Sequence, residues 1–103
     1  MKRLLLASTL VCVSIGALAD CPAPLPRDVP SIPDGAAASA ESMAQAGKEV
    51  RQYVRALETY LDCRDSLHPL QYNYLVDRAE TVAGDYNNEL ASFFGREDML
   101  ATN

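Results

Sequence analysis

The chain has 103 residues, a formal net charge of −5, and 49% hydrophobic and 22% charged residues, which are proportions of a single soluble globular domain. The negative charge argues against nucleic-acid backbone binding, which needs clustered Lys and Arg. With one histidine and no tryptophan, the chain lacks the residues of most catalytic and metal-binding constellations.

Residues 1–19 have the features of a secretory signal peptide. A short basic start precedes an uncharged apolar stretch from Leu4 to Ala17, and the small residues Ala17 and Ala19 predict cleavage after Ala19. The apolar stretch is shorter than the roughly 20 residues that span a membrane. We therefore expect an exported protein, periplasmic or secreted, that is not inserted in the membrane after cleavage. Cleavage would change the net charge from −5 to −7, because two basic residues are removed.

Two cysteines, Cys21 and Cys63, remain after this cleavage, because Cys12 lies in the signal peptide. Exactly two thiols in an oxidising compartment predict one disulfide. Lipidation of Cys21 is the alternative, but such signals favour a small residue directly before the cysteine and Asp20 stands there. A redox-active pair would favour Cys-x-x-Cys spacing, which is absent.

Residues 20–39 are predicted to form an extended, proline-rich arm. Five of the six prolines lie between residues 22 and 33, where they remove backbone donors and exclude a helix or a central strand. The sequence Pro33-Asp34-Gly35 predicts a turn in which the glycine tolerates a positive φ. The residues expected to face inward are Leu25, Val29 and Ile32.

Two amphipathic helices are predicted after the arm, over about 40–65 and about 69–94. Ser39 is a candidate N-cap for the first, and the pair His68-Pro69 separates the two. Gly95 is a candidate C-terminal stop, which leaves 96–103 as a frayed tail. Apolar residues recur at helical spacing in both segments; they include Met43, Val50, Tyr53, Val54, Leu57, Tyr60, Leu61, Leu75, Ala79, Val82, Tyr86, Leu90, Phe93 and Phe94.

The predicted fold is therefore all-α. A connection of a few residues makes the helices antiparallel, in a register that pairs Met43 with Phe93 and Val50 with Tyr86. The extended arm is long enough to run back along the first helix, so the disulfide would clasp the arm to this helix at Cys63. In the chain-entropy model, closing this loop of about 43 residues contributes about 4 kcal/mol.

The residues of this arm and first helix resemble a group of small exported proteobacterial proteins without assigned function. The resemblance rests on the Cys-Pro-x-Pro start, the Pro-Asp-Gly-Ala turn at 33–36 and the Tyr-Leu-x-Cys end of the first helix at 60–63. It implies an exported helical hairpin with one disulfide, and it implies no activity or binding residue.

No catalytic, cofactor or metal site is predicted. His68 has only Asp65 nearby as a possible co-ligand, and we expect it to cap the second helix or to be exposed. The carboxylates are spread along both helices, several with a cation at helical spacing, as Glu58 has in Arg55. The sequence therefore predicts a protein that is not an enzyme.

The tyrosines define a possible interaction surface, because tyrosine is enriched at the energetic centres of interfaces. A two-helix hairpin has too few neighbours to bury all of Tyr53, Tyr60, Tyr74 and Phe94. The arm, a second copy or another envelope protein could cover them. The predicted function is an exported helical protein that acts through protein contacts or as an envelope component. The alternative is a periplasmic protein that binds a small ligand or a cation.

Overall fold

A computed structural model describes residues 23–101 of the chain. Within this range two helices form, α1 (Ala40–Cys63) and α2 (Pro69–Ala101), and they pack against each other. The start of α1 lies beside the C-terminal half of α2, since the Tyr86 hydroxyl donates to the Met43 carbonyl at 3.2 Å. The helices are therefore antiparallel, as predicted. The predicted signal peptide and Cys21 lie outside the described residues. Signal cleavage and the disulfide between Cys21 and Cys63 therefore remain predictions.

Helix α1 begins where its N-cap was predicted. The Ser39 side chain accepts a hydrogen bond from the Ser42 N–H at 3.0 Å, and Glu41 lies in the first turn near the positive end of the helix dipole. The helix ends at Cys63, two residues before the predicted end, because Arg64 adopts an extended conformation. Residues 64–68 then reverse the chain direction.

His68 caps helix α2, which is one of the two roles predicted for it. Its Nδ1 accepts a hydrogen bond from the Leu70 N–H at 3.1 Å, and the Gln71 side chain accepts one from the His68 N–H at 3.4 Å. This reciprocal arrangement satisfies backbone donors in the manner of a capping box. Pro69 fits the first helical position because it has no N–H to satisfy.

Removing this cap is expected to weaken the fold measurably. His68→Ala should lower the free energy of unfolding by about 1 kcal/mol, since Leu70 loses its acceptor at a helix terminus. Urea denaturation followed by circular dichroism measures the change. His68→Asn keeps a side-chain acceptor and should stay close to the original stability; an equal loss in both variants would contradict a capping role.

The predicted end of α2 is wrong. The helix continues through Gly95 to Ala101, so 96–101 are helical and not a frayed tail. A glycine inside a helix costs only about 1 kcal/mol relative to alanine. Here Arg96 offsets this cost, because its guanidinium donates to the carbonyls of Ala36 and Ala38 at 2.9 and 2.6 Å.

The core lies along the seam between the helices. Its buried residues are Val50, Tyr53, Leu57, Leu75 and Val82. Met43 and Phe93 are buried nearer the open end of the hairpin, away from the 64–68 connection. Burial of each large apolar side chain contributes roughly 1.5–3 kcal/mol. The predicted register places Tyr86 opposite Val50. In the structure the Tyr86 ring also covers Gly47, which lies about one helical turn before Val50 on α1. A Cβ added at Gly47 would lie 2.9 Å from this ring.

Residues 23–39, which we call the N-terminal segment, contain no helix or strand and lie along α2, whereas the arm was predicted to run along α1. Ile32 packs against the core, while Leu25 and Val29 are more exposed than predicted. The Gly35 N–H donates to the Glu89 carboxylate at 2.6 Å. An added Cβ at Gly35 would overlap the Glu89 carbonyl oxygen and lie 3.0 Å from the Phe93 nitrogen.

This close approach corrects the role predicted for Gly35. Among the described residues no glycine has a positive φ. The turn is closed instead by Asp34, whose carbonyl accepts from the Ala37 and Ala38 N–H groups at 3.0 and 2.8 Å. Glycine is needed at position 35 because only a residue without Cβ lets the segment meet the backbone of α2.

Candidate functional site

The four predicted surface residues do not form one surface. Tyr53 is only 6% exposed and belongs to the core, so its assignment to an interaction surface is wrong. Helical periodicity could not reveal this, because an aromatic ring at the edge of the apolar stripe fits either position. Tyr60 is half-buried, whereas Tyr74 and Phe94 are 59% and 55% exposed.

Arg78 contacts exposed Tyr74, four residues earlier on α2. Its guanidinium donates to the Tyr74 hydroxyl at 2.9 Å and lies 5.9 Å from the centre of the same ring. Hydrogen bonding with Tyr53, followed by the charge interaction with Tyr74, raises the pKa of Arg78 above its ordinary value. The cationic guanidinium thus contacts both the hydroxyl and the face of the Tyr74 ring on the surface of α2.

A groove at the loop end of the hairpin brings Tyr60 and Tyr74 together. We call it the tip groove; it has a volume of about 350 Å³ and is lined by Leu25, Tyr60, Leu67, Leu70, Gln71, Tyr74 and Leu75. Leu70 is 72% exposed, and the Arg64 guanidinium lies 5.2 Å from the centre of the Tyr60 ring. The groove is thus mostly apolar, with a cation at one margin.

Phe94 lies near the opposite end of α2. Twenty residues of helix separate it from Tyr74, a distance of about 30 Å at 1.5 Å per residue. The centres of the Phe94 and Phe93 rings are 5.7 Å apart in an edge-to-face arrangement. Met99 and Leu100, further along α2, are also exposed. Phe94 and Tyr74 therefore cannot contact the same small partner surface.

A second groove, which we call the lateral groove, was not predicted from the sequence. It has a volume of about 530 Å³ and is lined by Gly47, Val50, Arg51, Val54, Arg55, Glu58, Ala83, Tyr86, Asn87 and Leu90. No residue of the N-terminal segment lines it, since this segment lies along another face of α2 that carries Asp85 and Glu89. The signal that could have indicated it is the small residue Gly47 opposite bulky residues of α2.

The crevice between the N-terminal segment and α2 is the site predicted for the alternative function. It has a volume of about 510 Å³ and is lined by Val29, Pro30, Ile32, Asp34, Val82, Asp85, Asn88 and Glu89. The Glu89 carboxylate already accepts the Gly35 N–H. Within residues 23–101 no group of three His, Cys, Asp or Glu side chains is placed to hold a metal ion.

Comparison with known protein families, with curated proteins and with solved structures finds no match to this chain. The resemblance to small exported proteobacterial proteins therefore stays a prediction. The fold itself defines the class as an all-α antiparallel hairpin. Neither α1 nor α2 has a stretch apolar and long enough to cross a membrane.

Proposed function

We propose that this protein is an exported, non-enzymatic helical hairpin that acts by binding another protein of the cell envelope at its tip groove. The observation that carries the proposal is the exposure of Leu70 and Tyr74 beside a mostly apolar groove. Exposed contiguous apolar surface is costly in water and marks contact sites. Aromatic residues, with apolar contacts at their margins, supply much of the binding energy at such sites.

The signal-peptide pattern at residues 1–19 supports export, and the acidic balance of the remaining chain suits a soluble protein that anionic membrane surfaces repel. The proposed disulfide between Cys21 and Cys63 would hold the N-terminal segment beside the tip groove, where Leu25 contributes to the lining. The segment would then keep this apolar surface in a fixed shape before a partner arrives, which reduces the entropic cost of binding.

Photocrosslinking in intact cells tests the proposed contact. A photoreactive phenylalanine analogue at position 70 or 74 is expected to give the same adduct of defined mass, because both side chains border the tip groove. The matched control is the same analogue at Gln52, an exposed position of α1 that lines neither groove. Adducts of equal yield at all three positions, or none at 70 and 74, would contradict the proposal.

The acidic crevice favours a second candidate, the binding of a small cationic ligand. Asp34 and Asp85 border it together with apolar Val29 and Ile32. This candidate ranks second because two of the three carboxylates already accept backbone hydrogen bonds from the segment, Glu89 from Gly35 and Asp34 from Ala36. A rise in melting temperature with Ca²⁺ or with spermidine, lost in Asp85→Asn, would favour it over the tip groove.

A further inference from the structure

The lateral groove has the composition of a contact surface that the hairpin leaves uncovered. Its floor is formed by Val54, Ala83 and Leu90, all half-buried between the two helices. The Tyr86 ring lies directly over Gly47, because that position has no Cβ. The ring therefore lies close to α1 and does not fill the groove. An apolar floor of this kind accepts side chains from another helix layer.

The α1 margin of the groove carries charges of both signs. Arg51, Arg55 and Glu58 are exposed and line the groove together. Arg55 and Glu58 are three residues apart, yet among residues 23–101 the ion pair found within 4.0 Å is that of Arg96 with Glu97. The margin therefore offers two cations and one carboxylate that form no salt bridge inside the hairpin.

Arg51 and Glu58 make the two ends of this margin complementary about its centre, while exposed Arg55 lies beside the centre with its guanidinium accessible to solvent. Arg51 and Glu58 lie on either side of Val54, and a two-fold axis near Val54 relates an α1 helix to an antiparallel copy of itself. In a two-fold contact, a residue of one copy that meets a second residue of the other copy has a symmetry mate, so the same pair of residues meets twice. Arg51 would therefore face the partner's Glu58, and Glu58 would face the partner's Arg51.

We propose that the lateral groove is the interface between two copies of this chain, packed with α1 antiparallel to α1 around Val54. The dimer is a four-helix bundle in which each hairpin supplies one layer and the half-buried floor residues become its core. A second copy fits better than an acidic or a basic peptide, because a peptide of one sign could match only one of Arg51 and Glu58, whereas a second copy matches both. This surface is separate from the tip groove, so the inference does not depend on the proposed function.

Sedimentation equilibrium on the protein expressed from its full sequence tests this interface. The original chain is expected to dimerise. Arg51→Glu and Glu58→Arg should each raise the dissociation constant about tenfold or more. Either substitution gives positions 51 and 58 the same charge, and the two-fold contact brings these positions together at two places. The double variant R51E/E58R restores opposite charges at both contacts. It should therefore bring the constant back to within about threefold of the original, since the charges across the interface are again complementary.

Lys48→Glu is the matched control, since Lys48 is an exposed cation of α1 that does not line the groove. It should leave dimerisation unchanged. Circular dichroism of each variant checks that the hairpin is folded, so a loss of dimer cannot be a loss of structure. A chain that stays monomeric at millimolar concentration, or a double variant no better than the single ones, would overturn the proposal. Crosslinks from positions 70 and 74 should persist in either case.

Discussion

Replacing Cys63 by serine is expected to lower the free energy of unfolding by about 4 kcal/mol, the value the chain-entropy model gives for a closed loop of about 43 residues. The reason is the proposed bond to Cys21. Leu25 lies with Tyr60 and Leu67 in the tip groove, so the chain approaches the end of α1 four residues after Cys21. Four extended residues reach about 13–14 Å, which is enough to place Cys21 beside Cys63.

Urea denaturation of the oxidised protein measures this loss. Cys21→Ser and the double cysteine variant should match Cys63→Ser, and a reductant should destabilise only the original protein. Mass spectrometry gives an independent readout, because an intact disulfide leaves no thiol for alkylation in the processed chain. A stability unaffected by reduction, or a mass increased by acyl chains at Cys21, would contradict the disulfide, the latter in favour of lipidation.

Gly35→Ala is expected to lower the free energy of unfolding by about 3 kcal/mol, at the upper end of the range for overpacking. The added Cβ would overlap the Glu89 carbonyl oxygen. The backbone fixes the positions of both atoms, so neither can rotate away. The N-terminal segment must then shift from α2. The N–H of residue 35 would then lose its hydrogen bond to the Glu89 carboxylate. Such charge-assisted hydrogen bonds are stronger than those between neutral groups.

Gly84→Ala is the matched control for this substitution. Gly84 lies within α2, and an added Cβ there would meet nothing within 4 Å. Alanine should therefore stabilise the protein, by up to about 1 kcal/mol, through its better helix propensity. Opposite signs for the two glycines in the same denaturation experiment would support the close approach at Gly35. A neutral Gly35→Ala would show that the segment does not rest on α2.

The hairpin could be predicted because its determinants are local. Apolar residues at helical spacing predict both helices. Ser39 and His68 mark where the helices start, because their side chains accept hydrogen bonds from nearby backbone N–H groups. The short connection at 64–68 then leaves only an antiparallel arrangement. The fold class follows from these features without any knowledge of distant contacts.

The remaining features depend on contacts between residues far apart in sequence. Gly95 is a reasonable helix stop until Arg96 is seen to bind the carbonyls of Ala36 and Ala38, 60 and 58 residues earlier. Gly35 has the pattern of a turn glycine, and its contact with Glu89 is invisible in the local sequence. The same holds for the grooves, since their margins combine residues of α1 and α2 whose relative rotation the spacing does not determine.

The attachments of the N-terminal segment have a consequence for the order in which the molecule assembles. Glu89 and Arg96, which hold Gly35, Ala36 and Ala38, lie in the C-terminal half of α2. Because closing a chain loop costs entropy, we expect contacts of such long sequence separation to form after the two helices have begun to pair beside the short 64–68 connection. A polypeptide synthesised from its N-terminus presents this segment before α1 and α2, but supplies its anchoring partners in α2 only after both helices have begun. The segment is thus made before the two helices but fixed in place after they have paired.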